Sequence, residues 1–300
     1  MLDYKLLTAL AAVVEQAGFE RAALSLGLSQ SAVSQRIKLL EARVGQPVLL
    51  RAVPPGPTEI GRQLLNHVQQ VRLLERELQA QVPSLDTADG AQRLRIALNA
   101  DSLATWWATA VGDFCSRHGV LLDLVVDDQE VSLKRMRAGE VAACVCASER
   151  PVTGGRSLAL GAMRYRAVAS PAYMARYFAH GFAHDRLGQV PALVYGPDDS
   201  LQHRYVLGLG LSGPFPHHLC PSSEGFMRMA EAGLGWGLVP ELQARVQLAE
   251  GALVELLPDN PLDVPLYWHY WRSGGQLLEQ LTQALTTACR HGLVQPGQHP

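Results

Sequence analysis

Two short runs of this 300-residue chain set hydroxyls, amides and carboxylates side by side where helices are expected to begin: Asn99-Ala100-Asp101-Ser102 and Ser222-Ser223-Glu224. Free amides at a helix N-terminus, with the helix dipole behind them and a serine hydroxyl alongside, form a ready carboxylate site. Asp127-Asp128 adds two acids at the end of an expected strand, Ser148 closes another, and Trp106 can stack on an aliphatic stem. Groups for a carboxylate together with acids for a cation match the two ends of a basic amino acid. The blander account is that Ser102 and Ser223 only cap helices and that Asp127-Asp128 is a solvated loop. Caps and ligand donors use the same groups, so spacing leaves both accounts standing.

A second constellation suits a different partner. In Phe19–Gly45, FERAALSLGLSQSAVSQRIKLLEARVG, the residues Val33, Ile37, Leu40 and Val44 recur at helical spacing as one buried stripe. The opposite face carries Gln30, Ser31, Ser34, Gln35 and Lys38, with Arg36 at its border and Ser29 as the N-cap. Amides read adenine edges, hydroxyls read several bases and cations hold phosphates, so this is the mix a major-groove helix needs. Arg21 on the preceding helix and Arg51 further on supply additional cations for the duplex. Any two amphipathic helices joined at a glycine share part of this pattern, and the stretch from Gln46 to Thr58 shifts the balance toward a DNA reader.

Other chemistries lack their residues. The chain has no nucleophile elbow, phosphate loop, metal constellation or paired catalytic acids, so neither an enzyme nor a cofactor is expected. Gly208 to Gly213 satisfies a dinucleotide pattern, but Pro214 and Pro216 prevent the helix that would hold a pyrophosphate. His180 and His184 lack the glutamate of a zinc protease and are separated by Gly181. The five cysteines show no disulfide rhythm. Cys144 and Cys146 lie in VAACVCA, which reads as a buried strand with both thiols on one face. No second cluster completes a metal site, so they are expected to be buried structural thiols.

The framework around these residues is set by composition and periodicity. Hydrophobic content of 48% against 18% charged residues can fill sizeable cores. The net charge of −2 does not announce a nucleic-acid binder, although residues 1–80 hold nine Lys/Arg against seven Asp/Glu. Asp3 to Gln16 is expected as a helix with Leu6, Leu7, Leu10, Val13 and Val14 inward, backing the two helices of the reader. Gln46 to Thr58 suits a stiff two-stranded wing with prolines at its edges. From Thr58 to Val82, Ile60, Leu64, His67, Val71, Leu74 and Leu78 follow an a/d rhythm. Such a helix is roughly 35–40 Å long, and the same helix of a second subunit is its expected partner. The alternative partner is the chain's own C-terminal half, and His67 reads as a packing residue. Pro83 ends the helix. Beyond a hinge, LRIALNA, VLLDLVVDD and VAACVCAS alternate with helices, an order that implies a parallel sheet. YRAVAS, ALVYG and LYWHYWR read as further strands. The boundaries drawn are 1–58 for the reader, 59–82 for the linker helix, 83–92 for the hinge and 93–300 for an effector half. Its first lobe takes about 93–163 and 266–295, and its second about 164–265. No signal peptide opens the chain and no apolar run is long enough for a bilayer, so a cytoplasmic protein is expected.

SQSAVSQRIKLLEARVGQPVLLR, preceded by FERAALSLGL, resembles the winged helix-turn-helix of LysR-type transcriptional regulators. RAVPPGPTEIGRQLL, with NADSLATWW further on, resembles the arginine- and lysine-responsive ArgP (LysG) branch of that family. Gly56 departs from it at a wing position that is usually basic there. The resemblance implies an α/β chain with an N-terminal all-α-type winged helix-turn-helix and a two-lobed effector domain similar to periplasmic binding proteins. It further implies a sequence-specific regulator bound to double-stranded DNA as a homodimer or homotetramer, with lysine or arginine between the lobes. Genes of amino-acid export or metabolism would be its targets, and RNA polymerase a further partner. The competing reading is an α/β enzyme or solute-binding module with an accessory DNA-binding head.

Overall fold

The computed structural model describes residues 3–50, 52–81, 92–127, 129–272 and 274–295. Arg51, Asp128 and nearly all of the expected hinge lie outside the described residues.

Three helices open the chain: α1 (Tyr4–Glu15), α2 (Phe19–Leu26) and α3 (Gln30–Val44). The Asp3 carboxylate accepts from the Lys5 amide to cap α1, and the Ser29 hydroxyl accepts from the Ala32 amide to cap α3. Between α2 and α3 the chain turns at Gly27 with φ 63°, where a side chain would strain the backbone. Leu6, Leu7, Leu10, Val13, Ala22, Ala23, Val33, Ile37 and Leu40 are buried in one core. Each large apolar side chain removed from water there contributes about 1.5–3 kcal/mol, which none of the three helices gains alone. The wing is the antiparallel pair β1 (Leu49–Leu50) and β2 (Gly56–Pro57).

The linker helix α4 (Glu59–Gln81) departs from the a/d expectation. Leu65 and Val68, which are not in the a/d set, are buried in the N-terminal core, and Ile60 and Leu64 pack partly buried against it. His67 meets its own reader rather than a seam: its Nε2 lies 3.0 Å from the Tyr4 hydroxyl. Arg72 bonds Glu15 at 2.6 Å. The first half of the helix is therefore anchored to its own reader, while Leu74 is half exposed. The helix also meets the C-terminal half of the same chain. A Cβ on Gly139, at φ 71°, would lie 2.4 Å from the Asn66 Cα, so the two backbones touch there.

In that half, β3 (Gln92–Leu98) leads into a helical run over 100–118. It comprises α5 (Ala100–Ser102), a π turn at Leu103–Trp107 and α6 (Ala108–His118). Then come β4 (Val120–Val126), α7 (Gln129–Arg137), β5 (Ala143–Cys146), β6 (Gly155–Ala169) and α8 (Pro171–Tyr177). The second lobe adds β7 (Ala192–Val194), α9 (Leu201–Gly208), β8 (His217–Leu219), α10 (Ser223–Glu231), β9 (Gly237–Pro240) and α11 (Glu241–Glu250). β10 (Val254–Glu255), β11 (Leu262–Trp271) and α12 (Gly275–Gly292) return the chain. The main sheet runs β10-β6-β11-β5-β3-β4, with β9 also on β6.

The sheet is mixed, which corrects the parallel expectation. β3 pairs parallel with β4 and β5, as the βαβαβ order requires, but β11 is antiparallel to both β5 and β6. The 15-residue β6 and the 10-residue β11 pass side by side from one lobe to the other, with a register shift between Leu266 and Tyr267. The expected strand YRAVAS covers only the far end of β6. Among the described residues, no helix is long and apolar enough to cross a membrane.

Candidate functional site

Two surfaces gather the residues singled out by type and spacing. On α3, Gln30, Ser31, Gln35 and Lys38 are exposed, and Ser34 and Arg36 are partly exposed, while Val33, Ile37 and Leu40 face the core. The sequence thus divides the helix into a buried stripe and a free polar face. Ser29 is spent mostly as the cap, its hydroxyl also lying 2.9 Å from that of Ser31. Arg21 donates to the Ala17 carbonyl at 3.0 Å, which pins its guanidinium beside the turn into α2. Among the described residues neither Arg36 nor Lys38 makes an ion pair, so both remain available for phosphates.

The second surface lies where the start of α5 meets the start of α10, one from each lobe. Asp101 is its centre. Its carboxylate accepts from the Tyr165 hydroxyl at 2.7 Å and from the Ser223 hydroxyl at 3.0 Å. Burial is the largest influence on this group and raises its pKa, the two hydroxyl donors pull it back down, and Asp199 raises it further. Asp199 is itself held by the amides of Tyr195 and Leu201 at 3.0 and 2.9 Å. Burial pushes the Tyr165 hydroxyl well above its usual range, with Asp101 adding to the shift, and Tyr195 moves the same way for the same two reasons. Two acids and two phenols thus converge, and no cation pairs with Asp101 among the described residues.

On the helical run that carries this carboxylate, and at the residue that caps it, three buried side-chain atoms lack hydrogen-bond partners among the described residues: Asn99 Oδ1, Ser102 Oγ and Trp106 Nε1. Isolated buried groups of this kind cost about 1–3 kcal/mol each, and a ligand that supplies their partners recovers that energy. Their positions correct one expectation. Asn99, with extended backbone and no side-chain cap bond, is the N-cap of α5. Ser102 sits inside the helix at φ −62°, ψ −43°, fully buried, so it caps nothing. Ser223 is likewise not the cap of α10: Ser222 is, accepting from the Gly225 amide at 3.1 Å. The role assigned to Ser223 as a cap is filled by its neighbour, which leaves the Ser223 hydroxyl free to reach Asp101.

Other expected members lie apart from the cluster. Asp127 is clamped by Arg135, which also bonds Glu140 at 2.7 Å, so its charge is satisfied within its own lobe. Glu224 is exposed and paired with Arg228 one turn along α10. Ser148 is exposed, and its carbonyl accepts from His269 Nε2 at 2.7 Å. Trp106 is buried, edge-on to Trp107 at 5.8 Å. Tyr165 and Asp199 are members that sequence reasoning missed. Tyr165 lies on a strand 64 residues from Asp101, and nothing local in the sequence marks that meeting. No cluster of three or more His, Cys, Asp or Glu among the described residues could hold a metal ion.

Comparison with known proteins agrees with this division. The family model for bacterial regulatory helix-turn-helix proteins of the lysR family matches residues 4–62. The LysR substrate binding domain matches residues 87–293. A Pseudomonas fluorescens protein named HTH-type transcriptional regulator ArgP is 72% identical over 300 residues, covering 100% of both chains. The crystal structure of ArgP from Mycobacterium tuberculosis matches with a TM-score of 0.84 at 39% identity, covering 98% of this chain and 99% of that one. Full-length LysG from Corynebacterium glutamicum with bound effector Arg matches with a TM-score of 0.76 at 35% identity, covering 98% and 100%.

Proposed function

The chain belongs to the LysR family of transcriptional regulators, and we propose that it is controlled by a basic amino acid, lysine or arginine, bound between its two lobes. The observation that carries this reading is Asp101: a half-buried carboxylate that bridges the lobes through Ser223 and, among the described residues, has no cation to neutralise it. Burying an unpaired charge is costly, and a guanidinium or ammonium group entering between Asp101 and Asp199 removes that cost. Ser102, Asn99 and the Trp106 indole would supply the remaining contacts. The arginine held by the LysG relative belongs to the same chemical class. The readers would be paired through α4, with Gln30, Ser31, Ser34 and Gln35 on base edges and Arg21, Arg36 and Lys38 on phosphates, in the cytoplasm where duplex and metabolite meet.

A thermal-shift screen of the full chain against the twenty amino acids tests the effector assignment. A ligand at 100 times its dissociation constant adds about 2.7 kcal/mol, a rise of roughly 5–10 °C at this size. Lysine or arginine should raise the melting temperature and the others leave it within a degree. Ser223→Ala should abolish that rise while leaving effector-free DNA binding intact. A chain shifted by none of the twenty, or only by acidic ones, would overturn the proposal.

A further inference from the structure

The joint between the reader and the effector half encloses a cavity of its own. It measures about 540 Å³ and lies between α4 and the stretch formed by α7 and the turn after it. From α4 come Glu59, Arg62, Gln63 and Asn66, whose i, i+3, i+4, i+7 spacing puts them on one face of the helix. The first lobe supplies Lys134, Arg135, Arg137 and Glu140, together with a small apolar patch of Val131 and Ala138. Arg62 pairs with Glu59 and donates to the Pro57 carbonyl at 3.3 Å, while Arg135 is shared between Asp127 and Glu140. Lys134 and Arg137 are exposed and, among the described residues, form no ion pair. Asn66 Oδ1 accepts from the Gln70 side chain at 3.2 Å, which leaves the Asn66 Nδ2 as a donor.

We propose that this cavity binds a phosphate-bearing small molecule between the linker helix and the first lobe. The charge fits first. Arg62 and Arg135 are neutralised by their own partners, so Lys134 and Arg137 leave an excess of positive charge that a phosphoryl group matches. Guanidinium forks hold phosphate oxygens in bidentate pairs, and a lysine beside them acts as a point charge. The size fits next. Clefts of about 300–1,000 Å³ take metabolite-sized ligands, so there is room for a second phosphate or an organic body besides the first group. The Gln63 and Asn66 amides offer hydrogen bonds to that body, and Val131 with Ala138 offers an apolar seat. Because these groups converge on one hollow from two elements, they suit a small anion better than the outward backbone of a duplex. The site is also opposite in character to the one around Asp101, since its excess positive charge repels lysine and arginine. It borders the joint where a Cβ on Gly139 would lie 2.4 Å from the Asn66 Cα. An occupant bonded to both sides holds α4 against the lobe, and so favours one arrangement of reader and effector half over others.

Calorimetry on the full chain, in a phosphate-free buffer of low ionic strength, tests this with pyrophosphate, ADP and citrate. Pyrophosphate and ADP should each bind with a Kd below about 1 mM. Lys134→Ala combined with Arg137→Ala, at two exposed positions whose loss leaves the cores intact, should weaken both by about tenfold or more. ADP binding tighter than pyrophosphate assigns an organic phosphate, and equal affinities assign free polyphosphate; either result supports a phosphate site. Added pyrophosphate should also slow amide exchange over residues 59–66 and 131–140, because its binding ties the two sides together. Saturating arginine should leave the pyrophosphate affinity unchanged, so the outcome stands whether or not the effector assignment does. Failure of both phosphates to bind at about 1 mM overturns the proposal. So does citrate binding as tightly as pyrophosphate, an unchanged affinity in the double variant, or slowed exchange confined to α3. Displacement of pyrophosphate by a random duplex would give these cations to DNA and overturn it as well.

Discussion

Asp101 brings a carboxylate into a setting that offers hydroxyls but no cation, and this sets up an exchange between stability and binding. Its pKa is raised from 3.8 in the folded chain, chiefly by burial. Between 3.8 and that raised value the folded state keeps a proton that the unfolded state has lost. Stability from this group is therefore greatest below the window, falls as pH rises through it, and remains lower at neutral pH. Asp101→Asn removes the charge and keeps one acceptor for the two hydroxyls. The effector-free melting temperature at pH 7.5 should hold or rise by a few degrees, while the shift given by lysine or arginine disappears. A variant that melts well below the parent would assign Asp101 a structural role instead. On the reader, Gln35→Ala should cost about 1–3 kcal/mol at one base pair of each half-site, because a side chain on a base edge discriminates where a phosphate contact does not. Competition binding checks this, and equal losses on specific and random duplexes would remove Gln35 from base reading. Asp101, Ser223 and the α3 face were legible in the sequence because helix starts and helical stripes are local signals. Tyr165 and Asp199 were not, since only the tertiary path of β6 and the loop before α9 brings them to Asp101.

Elements matter through how they meet. The three reader helices were readable because each carries its own stripe, turn glycine and cap. The parallel order of β3, β4 and β5 followed from the alternation of strands and helices. The mixed character of the sheet did not, because long antiparallel strands that serve two lobes have no pattern to distinguish them from short strands of one. Nor did the a/d rhythm of α4 tell which side packs at home: Leu65 and Val68 take the core, and Gly139 docks the C-terminal half on Asn66. Gly139→Ala tests that joint. A Cβ at positive φ costs about 1 kcal/mol by itself. The clash with the Asn66 backbone adds roughly 1–3 kcal/mol of overpacking unless the helix moves away. The expected outcome is a lower urea midpoint together with faster amide exchange over residues 59–72. A loss limited to about 1 kcal/mol, with exchange unchanged, would mean that α4 and the lobe are not in contact in solution.

At the scale of the whole molecule, a regulator that senses a metabolite in one half and reads DNA with the other needs a joint that favours one arrangement over another. An effector shifts such an equilibrium only by its differential affinity for the two arrangements. Ser223 on α10 bonds Asp101 in the helical run of the first lobe, and that same lobe rests on α4 at Gly139, so one lobe offers a path between the candidate effector site and the reader. That path gives direction to DNA only if two readers are held at a fixed spacing. Leu74 stands half exposed beyond the anchored first half of α4, at a position that the a/d rhythm assigns to a seam. If the other side of that seam is the same helix of a second subunit, Leu74→Glu places two like charges in it. The unaltered chain should then sediment as a dimer or tetramer at micromolar concentration and the variant as a monomer with an unchanged melting transition. Binding to a two-half-site duplex should fall by about 10²–10⁴-fold, the avidity lost on unlinking the readers, while affinity for a single half-site stays within a factor of two or three. A parent chain that sediments as a monomer, or a variant that keeps the oligomer, would leave α4 as a strut within one subunit and require the half-sites to be read one at a time.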